Sequence, residues 1–257
     1  MAVKIAALTR FPIKGLSGQT LETVTLEPGQ GFPGDRRFGF ARPNSGFDPA
    51  DPKPLPKGKF YMLARDAALA LLDTEYDDDT GILSLSTDDI SARFDIGTAD
   101  GKHQASQFLK TYLTLPDDET PQLHEASPHR FTDVSVDSVE MMNAISIINR
   151  DSVEAFSQAI GQAVDPRRFR GNIQLSGLPP FAELDMVGKE MTLGSVRLKI
   201  VKRTRRCPAT EVNLETGERD MKTPRLLREH YSHMDMGVYA QVLTGGVLSA
   251  DSVVDVA

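Results

Sequence analysis

Leu21-Glu22-Thr23-Val24-Thr25-Leu26 alternates one set of side chains, Leu21, Thr23 and Thr25, with a second, Glu22, Val24 and Leu26. A period of two belongs to a strand, whose successive side chains point to opposite faces, and not to a helix of period 3.6. Working outward, Ile5–Leu8, Phe11-Pro12-Ile13-Lys14-Gly15, Gly29–Gly34 and Phe38-Gly39-Phe40 are short runs punctuated by glycine and proline. Residues 1–40 therefore read as strands joined by turns.

Between residues 42 and 58, Pro43, Pro49, Pro52, Pro54 and Pro56 with Asn44, Ser45 and Gly46 exclude a helix or a central strand and predict a long surface loop. The Ala- and Leu-rich run Ala64–Leu72 predicts a first helix, ahead of a solvated acidic turn at Asp77-Asp78-Asp79. Strands follow at Ile82–Leu85 and Ala92–Ile96, then a helix at Ala105–Leu113 with Phe108, Leu109 and Leu113 at helical spacing. Two prolines bracket three acids in Pro116-Asp117-Asp118-Glu119-Thr120-Pro121, dividing the chain into domains of residues 1–115 and 122–257. After a disordered-looking stretch to about residue 140, Ile145–Asn149 reads as a buried strand. The helix Val153–Ile160 follows, capped by Asp151 or Ser152 and closed by Gly161. Further strands fall at Asn172–Leu175, Met191–Leu193, Ser195–Val201 and Gly237–Leu243. The expected fold class is mainly β with helical insertions, a β-barrel-like second domain joined to a smaller β-rich N-terminal one.

Composition narrows the functions. With 29 Lys and Arg against 36 Asp and Glu, the net charge of −7 disfavours a nucleic-acid partner. The single cysteine, Cys207, excludes an internal disulfide framework, a Cys-rich zinc site and a self-contained iron–sulfur cluster. The N-terminal run reads as a strand and no long apolar segment occurs, so no membrane span is expected. An unpaired thiol suits a reducing compartment, and the expected location is the cytoplasm. No phosphate-cradling Walker loop, dinucleotide fingerprint or Gly-x-Ser-x-Gly elbow is found.

Against that acidic background, Lys199, Lys202, Arg203, Arg205 and Arg206 place five cations and no acid in the eight residues before Cys207. A basic run alone is commonly a solvated strand end, and a lone Cys commonly a small core residue. Together they are the chemistry of an activated nucleophile or a soft-metal ligand. A second basic cluster, Asp165-Pro166-Arg167-Arg168-Phe169-Arg170-Gly171-Asn172, offers guanidinium forks for a phosphate or a hydrogen-bonding heterocycle. Lys14 and Arg36-Arg37 lie in glycine-containing turns whose backbone N–H groups can also face an anion. His230, His233 and Asp235 read as a helix end in preference to a metal site, and the acidic turn lacks the ligand spacing of a calcium loop.

Taken in order, these elements resemble the MOSC family, named for the C-terminal domain of the molybdenum cofactor sulfurase, in its two-part form with an N-terminal β-barrel domain. The matching elements are Pro12-Ile13-Lys14-Gly15, Gly34-Asp35-Arg36-Arg37-Phe38, the strand and helix from Ile145 to Phe156, and Arg168-Phe169-Arg170-Gly171-Asn172. Phe181-Ala182-Glu183, Arg206-Cys207-Pro208-Ala209-Thr210, Thr216-Gly217-Glu218 and the strand Gly237–Ala240 complete the series. The resemblance implies a molybdenum–pterin cofactor with Cys207 as metal ligand and catalytic centre. It implies Lys14, Gly15, Arg36, Asn149, Arg170, Asn172, Arg206 and Thr210 as cofactor contacts. The implied activity is that of an oxidoreductase removing oxygen from N-hydroxylated compounds, amidoximes and N-hydroxylated bases, with electrons from a separate redox protein. Pyridoxal phosphate is not expected, because the sulfurase domain that carries it has no counterpart here. Thr204 stands where the family often has the first cysteine of Cys-x-Arg-Cys, placing Arg205 beside the site. Gly15 stands for a usual serine, Gly171 for a proline, and Met186 or Val187 where a tryptophan is common. Two alternatives stay open: a carrier module holding the cofactor or a persulfide on Cys207, and a degenerate member using the basic cleft for another phosphate-bearing ligand.

Overall fold

The computed structural model of the chain describes residues 3–254. It is mainly β with helical insertions. The first half contains β1 (Val3–Arg10), β2 (Gln19–Leu21), β3 (Thr23–Leu26), β4 (Phe38–Ala41), β5 (Asp73–Tyr76), β6 (Ile82–Ser86), β7 (Ser91–Asp95), helix α1 (Ala99–Tyr112) and β8 (Gln122–Glu125). The second contains α2 (Val139–Met142), β9 (Ile145–Asn149), α3 (Arg150–Ile160), β10 (Ile173–Ser176), β11 (Glu190–Leu193), β12 (Val196–Arg205), α4 (Thr223–Tyr231), β13 (Asp235–Thr244), β14 (Gly246–Ser249) and β15 (Val253–Val254).

The main sheet runs β11-β12-β13-β9-β10-β1-β15, with β2 added on β1. Its centre follows from sequence: β9, Ile-Ser-Ile-Ile-Asn, is buried at every position, as a strand covered on both faces must be. Each fully buried isoleucine there contributes about 2 kcal/mol of burial free energy. β9 and β10 pair in parallel, Ile147 opposite Ile173, and a parallel pair needs a crossover, which α3 supplies. The first strand joins this sheet: β1 is antiparallel to β10, with Leu8 opposite Ile173. The alternating run of residues 21–26 is shared between two sheets, β2 pairing with β1 and β3 with β14. Within β3, Val24 and Leu26 turn inward and Thr23 and Thr25 outward, as the alternation requires.

Two large apolar cores result. One lies against the main sheet and includes Ile5, Leu8, Ile145, Ile147, Leu198 and Val238. The other, with Phe38, Phe40, Tyr61, Leu83, Leu85 and Leu109, belongs to the N-terminal strands and α1. No helix among the described residues is long and apolar enough to cross a membrane.

Three local expectations are corrected. The run Ala64–Leu72 forms only a 3-10 turn at Ala67–Leu71, because Asp66 bonds Arg42 and the Met62 N–H instead of capping a helix, and the chain must extend into β5 at Asp73. Helix α3 is capped by Asn149, whose side chain accepts from the Asp151 N–H, not by Asp151 or Ser152; Gly161 does close it in the left-handed conformation. The stretch before residue 140 is ordered by pairing of β8 with β4 and by the buried Phe131.

Candidate functional site

The two glycine-containing turns of the N-terminal half are laced together by backbone bonds. The Arg36 N–H donates to the Phe11 carbonyl at 2.7 Å, and the Lys14 N–H to that of Phe38 at 2.8 Å. Gly15 adopts φ +86°, and a Cβ there would lie 2.8 Å from the Tyr61 carbonyl oxygen, so this backbone has no room for a side chain at that position. Asp35 is the hub. Its Oδ1 accepts from the Phe11 N–H at 2.8 Å and from Asn172 Nδ2 at 2.9 Å, while both oxygens accept from Arg36. Arg36 and Arg170 are both left-handed non-glycine residues, with φ of 47° and 52°. Such backbone costs about 1–3 kcal/mol and persists where the surroundings over-determine it. Here the surroundings include Phe11, on which both guanidiniums stack, 4.4 and 4.2 Å from the ring centroid.

The opposite wall is the end of β12. Its ladder with β13 shifts register between Arg203 and Arg205, where β13 supplies one extra residue. Gly237 makes this possible: at φ +76° a Cβ would fall 2.3 Å from the Ile147 carbonyl oxygen. The bulge turns the Met236 carbonyl towards Arg206, which donates to it through Nε and Nη2 and to the Phe169 carbonyl through Nη1. Cys207 stays extended, and a 3-10 turn then starts at Pro208. Within that turn the Thr210 hydroxyl donates back to the Cys207 carbonyl at 3.0 Å.

A cavity of about 330 Å³ opens between these walls, in the range of small-molecule and cofactor sites. Cys207 is half-buried on its surface, and Lys14, Gly15, Arg36, Arg170, Asn172, Arg206 and Thr210 also line it. Of the expected contacts, Asn149 alone is not among the lining residues. It is fully buried elsewhere, its Nδ2 donating to Glu183 Oε2 at 3.1 Å and to the Pro179 carbonyl at 3.0 Å. Glu183, from the Phe-Ala-Glu element, also accepts from the Ser152 hydroxyl at 2.9 Å. That network ties α3 to the main sheet. Asn172 faces the cavity, but its amide is spent on Asp35, the Thr9 carbonyl and the Ser146 N–H.

Among the lining residues that sequence reading does not single out are Lys57 and Asp133, both on segments without periodicity. The proline-rich loop before Lys57 is pinned by Phe47, packed at 5.1 Å on Phe131, and by Arg42, bonded to Asp66 and Glu119. Lys57 thereby reaches Asp133 at 3.4 Å and stands against the Cys207 sulfur. Burial works against the Lys57 charge, but Asp133 and Cys207 more than offset it and raise its pKa. Lys14, buried, donates to the Phe131 carbonyl at 2.9 Å and to Asp133; burial outweighs that partner and lowers its pKa. Burial would raise Asp133, yet Lys14, Lys57 and Arg36 together hold its carboxyl well below the usual range.

Nine Lys and Arg residues and three Asp residues line the cavity, in a chain whose net charge is −7. Arg170 and Arg206 have only carbonyl partners. Burial, with Arg36 adding to it, pushes Arg170 down to about 9, and burial pushes Arg206 down to about 10. Both would be relieved by an anion. The donor set is equally specific: among the described residues no cluster of three His, Cys, Asp or Glu could hold a metal ion. His233 instead accepts from the Asp235 N–H and stacks on Tyr231. One thiol amid cations suits a metal that brings its own ligands and an anionic carrier, which a molybdenum–pterin cofactor does.

The MOSC N-terminal beta barrel domain matches residues 2–126 and the MOSC domain residues 126–255. Mitochondrial amidoxime-reducing component 1 of Xenopus laevis is 31% identical over 51% of this chain and 40% of its own length. The molybdenum cofactor sulfurase of Caenorhabditis briggsae is 26% identical over 91% of this chain, which spans 33% of that relative. Among solved structures, the YuaD protein of Bacillus subtilis covers 100% of this chain and 96% of its own at 12% identity and a TM-score of 0.45.

Proposed function

This chain belongs to the MOSC family, carrying the MOSC domain and its N-terminal β-barrel domain, and from that premise we propose that it is a molybdenum-cofactor oxidoreductase that reduces N-hydroxylated compounds. The observation that carries the reading is the single thiol facing a cavity whose cations outnumber its acids. Cys207 would hold the metal as its one protein ligand. Arg36 and Arg170, fixed against Phe11, and Arg206, fixed by Met236 and Phe169, would hold the phosphate and the acceptor-rich pterin. When bound, the cofactor supplies two-electron oxo-transfer chemistry. The residues of this chain orient it and neutralise its charge, and electrons come from a separate redox protein.

Elemental analysis and pterin release, on protein purified from a cofactor-producing host, test this directly. Near-stoichiometric molybdenum is expected in the wild type, with loss of metal and of all reductase activity in Cys207→Ser and an unchanged circular-dichroism spectrum. A hydroxyl is a poor soft-metal ligand, so unchanged metal content would sink the proposal. Metal without reduction of any N-hydroxylated compound would favour a cofactor carrier.

A further inference from the structure

The cations of the cavity divide by what neutralises them. Arg36 is paired with Asp35, Lys14 and Lys57 share Asp133, and Lys202 holds Asp137 at 2.7 Å. Arg170 and Arg206 are tied to carbonyls in the walls. Arg205 differs from all of these. It lines the cavity, is exposed, and its guanidinium has no hydrogen-bond or ion-pair partner among the described residues.

Strand geometry says where it points. Side chains two apart on an extended chain share a face, and β12 runs to Arg205 with Cys207 still extended at φ −128°, ψ 173°. Thr204 is buried and Arg205 exposed, and both border the cavity together with Arg206 and Cys207. Cα atoms two apart in a strand are separated by roughly 6.5 Å, which makes Arg205 and Cys207 near neighbours along the cavity wall.

We propose that the site selects N-hydroxylated substrates carrying a carboxylate or phosphate, and that Arg205 is the residue that binds this charge. The inference rests on the cofactor reading above and adds the substrate class. The cofactor is held by the wall cations and Arg205 is left for the substrate. A neutral amidoxime offers this guanidinium only uncharged acceptors, whereas an anion makes charge-assisted bonds there.

The test compares benzamidoxime with its para-carboxylate on molybdenum-loaded protein. Reduction breaks the N–O bond, consumes two protons and two electrons from dithionite-reduced methyl viologen, and yields the amidine and water. The same pair is titrated calorimetrically, so the preference is read without turnover. The expected result is kcat/KM and affinity about tenfold higher for the carboxylate, a preference that shrinks with added salt because Arg205 is exposed. In Arg205→Gln the ratio between the two substrates should fall to near one, and in Arg205→Lys it should largely persist. Equal handling of the two by the wild type, or a preference untouched in Arg205→Gln, overturns the proposal while leaving the cofactor reading in place. Protein without molybdenum overturns both.

Discussion

Asp133 and Glu183 are two carboxylates in densely polar surroundings, and they have opposite characters. Asp133 faces the cavity, keeps 45% of its side chain accessible, and is held ionised by Lys14, Lys57 and Arg36. Glu183 is wholly buried, is bonded by the neutral donors Asn149 and Ser152, and burial pushes its pKa upwards. Around Glu183 the polar groups satisfy one another and leave nothing for a ligand. Around Asp133 charge is left over and space is left open. Uncompensated charge facing a void marks a site, whereas polar burial by itself marks a joint in the fold.

Disrupting the joint should have the largest effect. Glu183→Ala strands the Asn149 and Ser152 donors and is expected to destabilise the protein by about 3 kcal/mol in urea unfolding, at 1–3 kcal/mol per orphaned group. Its cofactor content per folded molecule should not change. On the cavity side the pattern reverses. Arg170→Ala should loosen cofactor retention about thirtyfold, equivalent to about 2 kcal/mol of charge-assisted bonding, with little loss of fold stability and less effect on substrate affinity. Pterin content after dialysis, read beside the melting temperature, separates the two cases.

Titration sharpens the contrast, because the signs oppose. The depressed Asp133 contributes stability above the ordinary Asp range, lost as pH falls through its folded pKa. The raised Glu183 contributes stability fully present below the ordinary Glu range, lost as pH rises through its folded pKa. Unfolding free energies between pH 3 and 7 should therefore flatten at the acid end in Asp133→Asn and at the upper end in Glu183→Gln, each measured against wild type. The smallest effect is expected at Thr204, whose buried hydroxyl has no partner among the described residues. Thr204→Val should stabilise by about 1 kcal/mol, raising the melting temperature by about 3 °C.

Much of the site was legible in the sequence. Lys202, Arg203, Arg205 and Arg206 of the basic run, with Lys14, Arg36 and Arg170, all reach one cavity, whereas Lys199 bonds the Gly188 carbonyl outside it. Asn149, which the family resemblance implies as a cofactor contact, belongs instead to the Glu183 joint, since position along a chain does not say which face a side chain serves. Lys57 and Asp133 were illegible because loops carry no periodicity to be read.

The sequence alone determined many of the strands, through two-residue alternation and β-branched runs such as Ile145–Asn149, though not Asp73–Tyr76, Gln122–Glu125 or Gly246–Ser249, and it determined which stretch concentrates positive charge around the one thiol. These are local properties, set by side-chain chemistry over a few residues. Only the tertiary structure decided that the first strand completes the second half's sheet and that a proline-rich loop delivers Lys57 to Cys207. It alone left Arg205 without a partner among the described residues at the cavity surface. Those outcomes depend on contacts between residues far apart in the chain, such as Leu8 with Ile173 and Lys57 with Cys207, whose free energies are settled only once both cores have closed.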